Sequence, residues 1–491
     1  MARATILALL VSGALLAQAP PPRPEQLTFK PLAFEVPRAA DFKAKLKNGI
    51  PVYVAADPAG VPFVRLRVFI RGGSFLEPRG KEGLASLTGM QMRAGGTAMT
   101  PAAALDERLE FLAGDIDSNI GDTSGAVAME FMEKDLKEGL DLFMQVLTRP
   151  AFAQDRLDQA KENLLQGLQA RNDKTDGIAK VELPRLLNGE DHFSSAQMTG
   201  ASLKAITRED LAAFHARLLH PENLVVSVSG RFKKEAMLDL LNRTLGALKP
   251  GAAAQVSPRV PAPSFRRRPG IYVVDKDVPQ SLVRFALPGL RRTDPDWHAA
   301  QVMNQILGGS GFTSRLMKKI RSDEGLTYGI GTGFSDGAHW KGNWSGSVQT
   351  KNRSVAYVLR LALAELERIK AQPVPPEELA VIKDSIVQAF PSQWGKKANV
   401  VNLFAQEQLT GWPENGWAGY REKIQAVTAE DVQRAARKYL DPAQLVILVV
   451  GKAGEAEAGD GKDHPGALKD VAPLPLTRLP LRDPLTLKPL S

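Results

Sequence analysis

The chain contains no cysteine. That excludes disulfides, thiolate metal sites, a cysteine nucleophile and a lipid-modified N-terminal cysteine. It is compatible with an oxidising compartment without demonstrating one. Histidine is scarce: six in 491 residues, at 192, 215, 220, 298, 339 and 464. Only His215 and His220 lie close in sequence, and five apart on a helix they point to different faces. Surface or capping roles fit them better than metal ligation. No Gly-x-Ser-x-Gly elbow and no P-loop occurs, which removes the commonest serine-hydrolase and nucleotide-phosphate signatures. Gly308-Gly309-Ser310-Gly311 has the glycine density of a phosphate-cradling loop but lacks the following lysine and a Rossmann pattern. No segment beyond the N-terminus has 18 consecutive apolar residues, so the mature protein is expected to be soluble, without stable membrane insertion.

Basic residues outnumber acidic ones, 63 to 54, for a net charge of +9. The two signs are interspersed, and the tightest basic cluster is Arg266-Arg267-Arg268 in a proline-rich stretch. Without an accompanying binding motif this charge does not point to nucleic acid. At the N-terminus, Arg3 precedes an apolar run from Ile6 to Leu16, then the small-x-small triplet Ala17-Gln18-Ala19. This is the pattern of a secretory signal peptide over 1–19, with an alternative cleavage point at Ser12-Gly13-Ala14. Export across the inner membrane to the periplasm is the expected localisation.

A proline-rich arm follows at 20–40. Asn48-Gly49 is a hairpin-type turn signal, and Val64, Leu66, Val68 and Ile70 alternate with arginines, as in a strand with one buried face. Thr100-Pro101 reads as an N-cap and first-turn proline opening a helix. The organising feature is an internal repeat. Thr207–Gly230 aligns without a gap to Thr428–Gly451, with nine of 24 positions identical. Each copy reads as a capped helix, a proline turn and a strand ending in glycine. A period this long marks a duplicated domain rather than a solenoid. The reading is therefore α+β, with repeat one at 41–248, a Pro/Ala-rich linker at 249–269 acting as a spacer, and repeat two at 270–453. The tail, 454–491, alternates leucine and proline. It is either disordered or docked as an extended peptide.

One stretch of repeat two carries chemistry. Ser314 to Ile320 has helical spacing, Gly325 suits a left-handed helix stop, and Leu326 to Ile330 reads as the start of a strand holding Tyr328. Arg321 offers a planar fork of donors and Tyr328 a hydroxyl on an apolar body. The plainer alternative is that Arg321 complements a helix C-terminus and Tyr328 is half-buried core.

Asn48-Gly-Ile-Pro-Val-Tyr-Val and Arg71-Gly-Gly-Ser-Phe-Leu-Glu-Pro-Arg-Gly-Lys-Glu-Gly83-Leu-Ala-Ser86-Leu-Thr-Gly89-Met90 resemble the M16 metallopeptidases, the pitrilysin, insulinase and mitochondrial-processing-peptidase family. Asn304-Gln-Ile-Leu-Gly-Gly-Ser-Gly-Phe-Thr-Ser-Arg-Leu and Gly325-Leu-Thr-Tyr328 extend the resemblance across repeat two, so that it covers about 42–452. It implies two M16-type repeats, each a mostly antiparallel sheet packed with helices, forming one half of a clamshell. Active members carry His-x-x-Glu-His on the helix after Gly-Leu-Ala, two histidines sharing zinc and a glutamate activating water. Here those positions are Ser86, Gly89 and Met90, none of which can do that work. The third ligand should fall near Gln166-Gly167, and Glu162 is the nearest carboxylate. The Arg321/Tyr328 pair matches the family's substrate-binding pair. The resemblance thus implies a non-catalytic, substrate-binding subunit, with no catalytic residue or metal of its own, supplying Arg321 and Tyr328 to a zinc site on a homologous partner chain. The expected partners are that chain and a peptide. Two alternatives are a non-proteolytic scaffold or peptide-binding protein of the same fold, and a self-sufficient peptidase with an unrecognised metal site.

Overall fold

The structure, a computed structural model, describes residues 34–251, 259–335 and 337–490. The expected signal peptide and most of the proline-rich arm lie outside the described residues. The alternation seen in sequence resolves into two six-stranded mixed sheets. The first contains β1 (Lys43–Lys45), β2 (Pro51–Ala56), β3 (Phe63–Arg71), β4 (Asp115–Ile120), β5 (Ser124–Met132) and β6 (Leu224–Gly230), in the order β1-β2-β6-β3-β5-β4. The second contains β7 (Gly270–Asp275), β8 (Gln280–Pro288), β9 (Ile330–Phe334), β10 (Asn343–Lys351), β11 (Val446–Gly451) and β12 (Leu476–Leu479), in the order β12-β7-β11-β8-β10-β9. Only β2–β6, β7–β11 and β7–β12 pair in parallel. In β3 the apolar residues at 64, 66, 68 and 70 are buried. Arg65, on the other face, pairs across the strands with Glu130 at 2.7 Å.

The duplication extends to individual hydrogen bonds. Thr207 caps the helix Arg208–Leu218: its Oγ1 accepts from the Asp210 N–H (3.2 Å), and its own N–H donates to the Asp210 carboxylate (2.8 Å). Thr428 and Asp431 repeat this reciprocal capping box on Ala429–Tyr439, both bonds at 3.1 Å. Such boxes satisfy two backbone donors that a helix start otherwise leaves open. Each helix leads through a short proline turn into a buried strand at the sheet centre, β6 or β11. The proline at 101 behaves differently from its reading. The helix begins at Ala102 with Pro101 as the flanking residue, and Thr100 Oγ1 donates to Gln145 Oε1 (2.9 Å) instead of capping.

The two repeats exchange helices. Thr175–Asn188, from repeat one, packs on β11 and β8 of the second sheet. Ile178 and Ala179 sit in one small core with Val274, Leu282, Leu448 and Val450, and Leu187 joins Ala286 and Val446 in another. Reciprocally, Lys397–Thr410 from repeat two packs on β6, β2 and β3. There Ser227 Oγ meets Asn402 Oδ1 at 2.6 Å and the Tyr53 hydroxyl donates to Gln408 Oε1 at 3.2 Å. β11 is consequently buried on both faces: Ile447 and Val449 point into repeat two's own core, while Val446, Leu448 and Val450 meet the helix of repeat one. This is why its sequence is an unbroken apolar run rather than an alternation.

Linker and tail are both seated. Val260 is buried, and Arg267 is drawn in to donate to the Leu187 carbonyl (3.0 Å) and to Asn343 Oδ1. The described part of the linker, 259–269, therefore packs rather than spaces. The tail adds β12 as an edge strand beside β7, beyond the boundary drawn at 453. It then crosses to repeat one, where Arg482 pairs with buried Glu182 (2.7 Å) and with Glu190 (3.1 Å), and the Leu485 carbonyl accepts from the Gly200 N–H (2.8 Å). Val36–Ser491 forms one compact unit, apart from Met1–Glu35, of which only Phe34 and Glu35 are described. No helix among the described residues is long and apolar enough to cross a membrane.

Candidate functional site

The three positions that a metallopeptidase of this type would use lie on the helix Leu84–Ala94. Ser86 and Met90, four apart, share its exposed face. Gly89, next to them around the helix, is buried and pressed onto β4. A Cβ at 89 would stand 2.2 Å from the Ile120 nitrogen and 2.7 Å from the Asn119 carbonyl carbon. The Gly89 carbonyl also accepts from Ser118 Oγ at 2.6 Å. Gly89 is thus required by the helix–strand approach, and the place where a general base would project is filled by backbone. Of the residues near the expected third ligand, Glu162, Gln166 and Gly167 are all exposed on Gln154–Gln169.

The helix start is organised by Glu77. Its carboxylate accepts from the backbone N–H of Gly83 (3.2 Å) and of Ala85 (2.7 Å), filling the role of an N-cap that glycine cannot provide. Burial pushes its pKa up to about 7, against the lowering effect of those two N–H donors.

The histidines remain scattered. His215 is buried and donates through Nε2 to the Leu147 carbonyl at 2.8 Å; burial holds it below the usual imidazole range. Among the described residues no three His, Asp or Glu side chains group to hold a metal ion.

Arg321 sits in the last turn of a π-helix, Met317–Asp323. Gly325 closes it with φ +65°, its N–H donating to the Arg321 carbonyl, while Leu326 N–H reaches the Ile320 carbonyl. The strand then begins only at Ile330. Tyr328 therefore stands on a loop before β9, not on the strand, and it is 90% exposed rather than half-buried. The loop is pinned on both sides. Thr327 Oγ1 donates to the Gln349 carbonyl (2.7 Å), and Thr350 Oγ1 donates to the Leu326 carbonyl (2.7 Å). Arg321 meets Phe312, an exposed residue whose ring centroid lies 4.3 Å from the guanidinium carbon. Phe312 was missed in the sequence reading. Its signal was an aromatic inside the Gly308–Ser314 loop, where an apolar core residue has no reason to sit.

A separate polar cluster holds the end of Lys397–Thr410. Arg292 is sandwiched between Trp412 (4.1 Å) and Trp417 (4.2 Å) and paired with buried Glu407 (3.2 Å), to which Trp417 Nε1 also donates (2.6 Å). Burial pushes Glu407 up to about 6, against the opposing pull of Arg292 and the indole.

These features define a duplicated α+β protein of peptidase architecture whose own metal-ligand positions are replaced. Comparison with known proteins agrees. Residues 53–200 match the model for insulinase (peptidase family M16), and residues 205–386 match the peptidase M16 inactive domain. The chain belongs to the M16 peptidase family. It is 26% identical over 398 residues to the non-peptidase homolog YmxG of Helicobacter pylori, covering 79% of this chain and 89% of that protein. To an uncharacterized zinc protease of Mycobacterium tuberculosis it is 24% identical, over 70% of this chain and 78% of the relative. The crystal structure of the peptidase M16 inactive domain from Pseudomonas fluorescens superposes with a TM-score of 0.75 at 24% identity, covering 83% and 97% of the two chains.

Proposed function

We propose that this chain is the substrate-binding, non-catalytic subunit of a heteromeric M16 zinc peptidase, pairing with a homologous chain that bears the metal. The observation that carries the reading is the asymmetry between the two halves. The repeat-one positions are Ser86, Gly89 and Met90, with Gly89 locked against β4, whereas Arg321 and Tyr328 are retained on a surface built to display them. Arg321 carries donors over an apolar ring, and Tyr328 extends from a loop tied down on both sides. Donors so placed suit a peptide carbonyl, and they matter most where charge develops at the scissile bond. Losing one costs about 10²–10³ in rate in comparable oxyanion sites. Zinc belongs to the partner in this reading, and a secretory leader at 1–19 would place the pair in the periplasm.

Co-expression with a zinc-bearing M16 homologue of the same genome tests it. Arg321→Ala and Tyr328→Phe should leave the complex assembled on size exclusion while peptide cleavage falls by about 10²-fold or more. Wild-type turnover by both variant complexes would leave the scaffold reading in its place.

A further inference from the structure

A cavity of about 540 Å³ opens within repeat two, between the start of the helix Trp297–Asn304, the 412–417 segment and the helix Tyr420–Gln425. Neither Arg321 nor Tyr328 lines it. Three of the chain's six tryptophans do, Trp297, Trp412 and Trp417, together with Tyr420 and His298. A core would cover such rings; here all of them stay partly exposed. The walls are nonetheless held in place. Arg292 sits between Trp412 and Trp417, Trp417 Nε1 donates to Glu407, and Tyr420 stacks on Phe390 with ring centroids 4.6 Å apart. Fixed aromatic walls with a few polar groups are the usual make-up of a small-ligand site.

The charges around the rings point to the rest of the ligand. Arg292 is matched by Glu407, and Arg434 by Asp431 and Asp296. Asp294 accepts from the Arg291 backbone N–H (2.9 Å) and Asp431 from that of Thr428 (3.1 Å). Lys423 is different: it lines the cavity from an exposed position, and among the described residues its ammonium makes no ion pair or hydrogen bond. Burial and then the charge of Lys423 hold the His298 imidazole below its usual pKa, so the ring is neutral near pH 7. Neither that ring nor the Tyr420 hydroxyl is hydrogen-bonded among the described residues.

We propose that this cavity binds a ligand made of an aromatic ring and a carboxylate, the ring among Trp297, Trp412, Trp417 and Tyr420 and the carboxylate at the Lys423 ammonium, with the His298 N–H and the Tyr420 hydroxyl as neutral donors. A free aromatic acid and the C-terminal residue of a peptide both carry that chemistry. The site does not depend on the peptidase reading, and it is tested without a partner chain.

Isothermal titration of the full chain with phenylacetate and, separately, with the tripeptide Ala-Ala-Phe tests the assignment; the arm that saturates identifies the source. The expected result is saturable one-site binding in at least one arm and none with acetate or Ala-Ala-Ala, which lack the ring. Ala426→Phe, at an exposed position lining the cavity, fills the space and should abolish binding. Lys423→Gln should weaken the acid about two- to fivefold, the range of an exposed ion pair, and leave the matching amide unchanged. Lys462→Gln, which removes the same charge from an exposed position outside the cavity, should have no effect. Absence of saturable binding in both arms overturns the proposal. So does binding that survives Ala426→Phe, and so does equal weakening by Lys423→Gln and Lys462→Gln, since that would reveal only the net charge of the chain.

Discussion

Gly89→Ala and Gly167→Ala are the same chemical change in two helix interiors, and the structure gives them opposite signs. Replacing glycine by alanine inside a helix ordinarily stabilises by about 1 kcal/mol, because glycine loses more backbone freedom on folding. At Gly167 nothing lies within 4 Å of the added Cβ, so most of that gain should be realised. At Gly89 the new methyl stands 2.2 Å from the Ile120 nitrogen, 2.7 Å from the Asn119 carbonyl carbon and 2.9 Å from its Cα. These are backbone atoms and cannot rotate aside. The helix must lift off β4, stretching the Ser118–Gly89 hydrogen bond of 2.6 Å. Overpacking a close contact costs about 1–3 kcal/mol, and a clash with backbone belongs at the upper end. Offset by the propensity gain, Gly89→Ala should destabilise by about 2 kcal/mol, so the two variants should differ by about 3 kcal/mol. Urea denaturation followed by far-UV circular dichroism measures this as midpoint shifts at unchanged slope. If Gly89→Ala proves as stable as Gly167→Ala, the close approach is wrong and the argument that position 89 cannot hold a catalytic carboxylate goes with it. By the same reasoning, installing Ser86→His, Gly89→Glu and Met90→His together should yield an unstable chain rather than a zinc peptidase.

Other expectations follow from buried charge. Glu77 is shifted from about 4.5 to about 7, so its neutral form is favoured on folding; its contribution is fully present below pH 4.5 and is lost as pH rises through 7. The size is of order 3 kcal/mol, from about 2.5 units at 1.36 kcal/mol each. Glu77→Gln should therefore gain stability relative to wild type between pH 5 and pH 8, and a pH-independent difference in denaturation midpoints would contradict the assignment. Arg292→Ala leaves Glu407 buried without its cation and should cost about 3–5 kcal/mol, read by thermal denaturation; a loss under 1 kcal/mol would show that Glu407 takes up a proton cheaply instead. Arg482→Ala strands Glu182, which is 4% exposed, and should cost a similar amount. Removing 472–491 should cost more and also open the β7 edge, seen as faster amide exchange from Ile271 to Val274; unchanged exchange there would mean that β12 does not protect the edge.

Much of the fold was legible because its signals are local. The nine identities between Thr207–Gly230 and Thr428–Gly451 announced the duplication, and they correspond to the same capping box, proline turn and central strand in each repeat. The alternation of β3 gave its buried face. Substitution at Ser86, Gly89 and Met90 could be read from residue type alone, since hydroxyl, hydrogen and thioether are poor replacements for imidazole and carboxylate. The placement of Tyr328 was less legible. Leu326 to Ile330 has the composition of a strand, but Thr327 spends its hydroxyl on the Gly329 and Gln349 carbonyls and holds the segment as a loop.

By itself, then, the sequence determined the duplication, the strand and helix periodicities, and the loss of the metal-ligand residue types, because each depends on residues near one another in the chain. Only the tertiary structure decided what each buried face packs against. Periodicity reports that Val446, Leu448 and Val450 are covered, but not that a helix more than 250 residues earlier covers them. The same holds for the tail strand beside β7, for Phe312 over Arg321, for the tryptophans gathered around Arg292, and for Gly89. Its missing side chain is a chemical fact of the sequence, whereas its lack of room for one is the 2.2 Å that would separate an added Cβ from the backbone of β4.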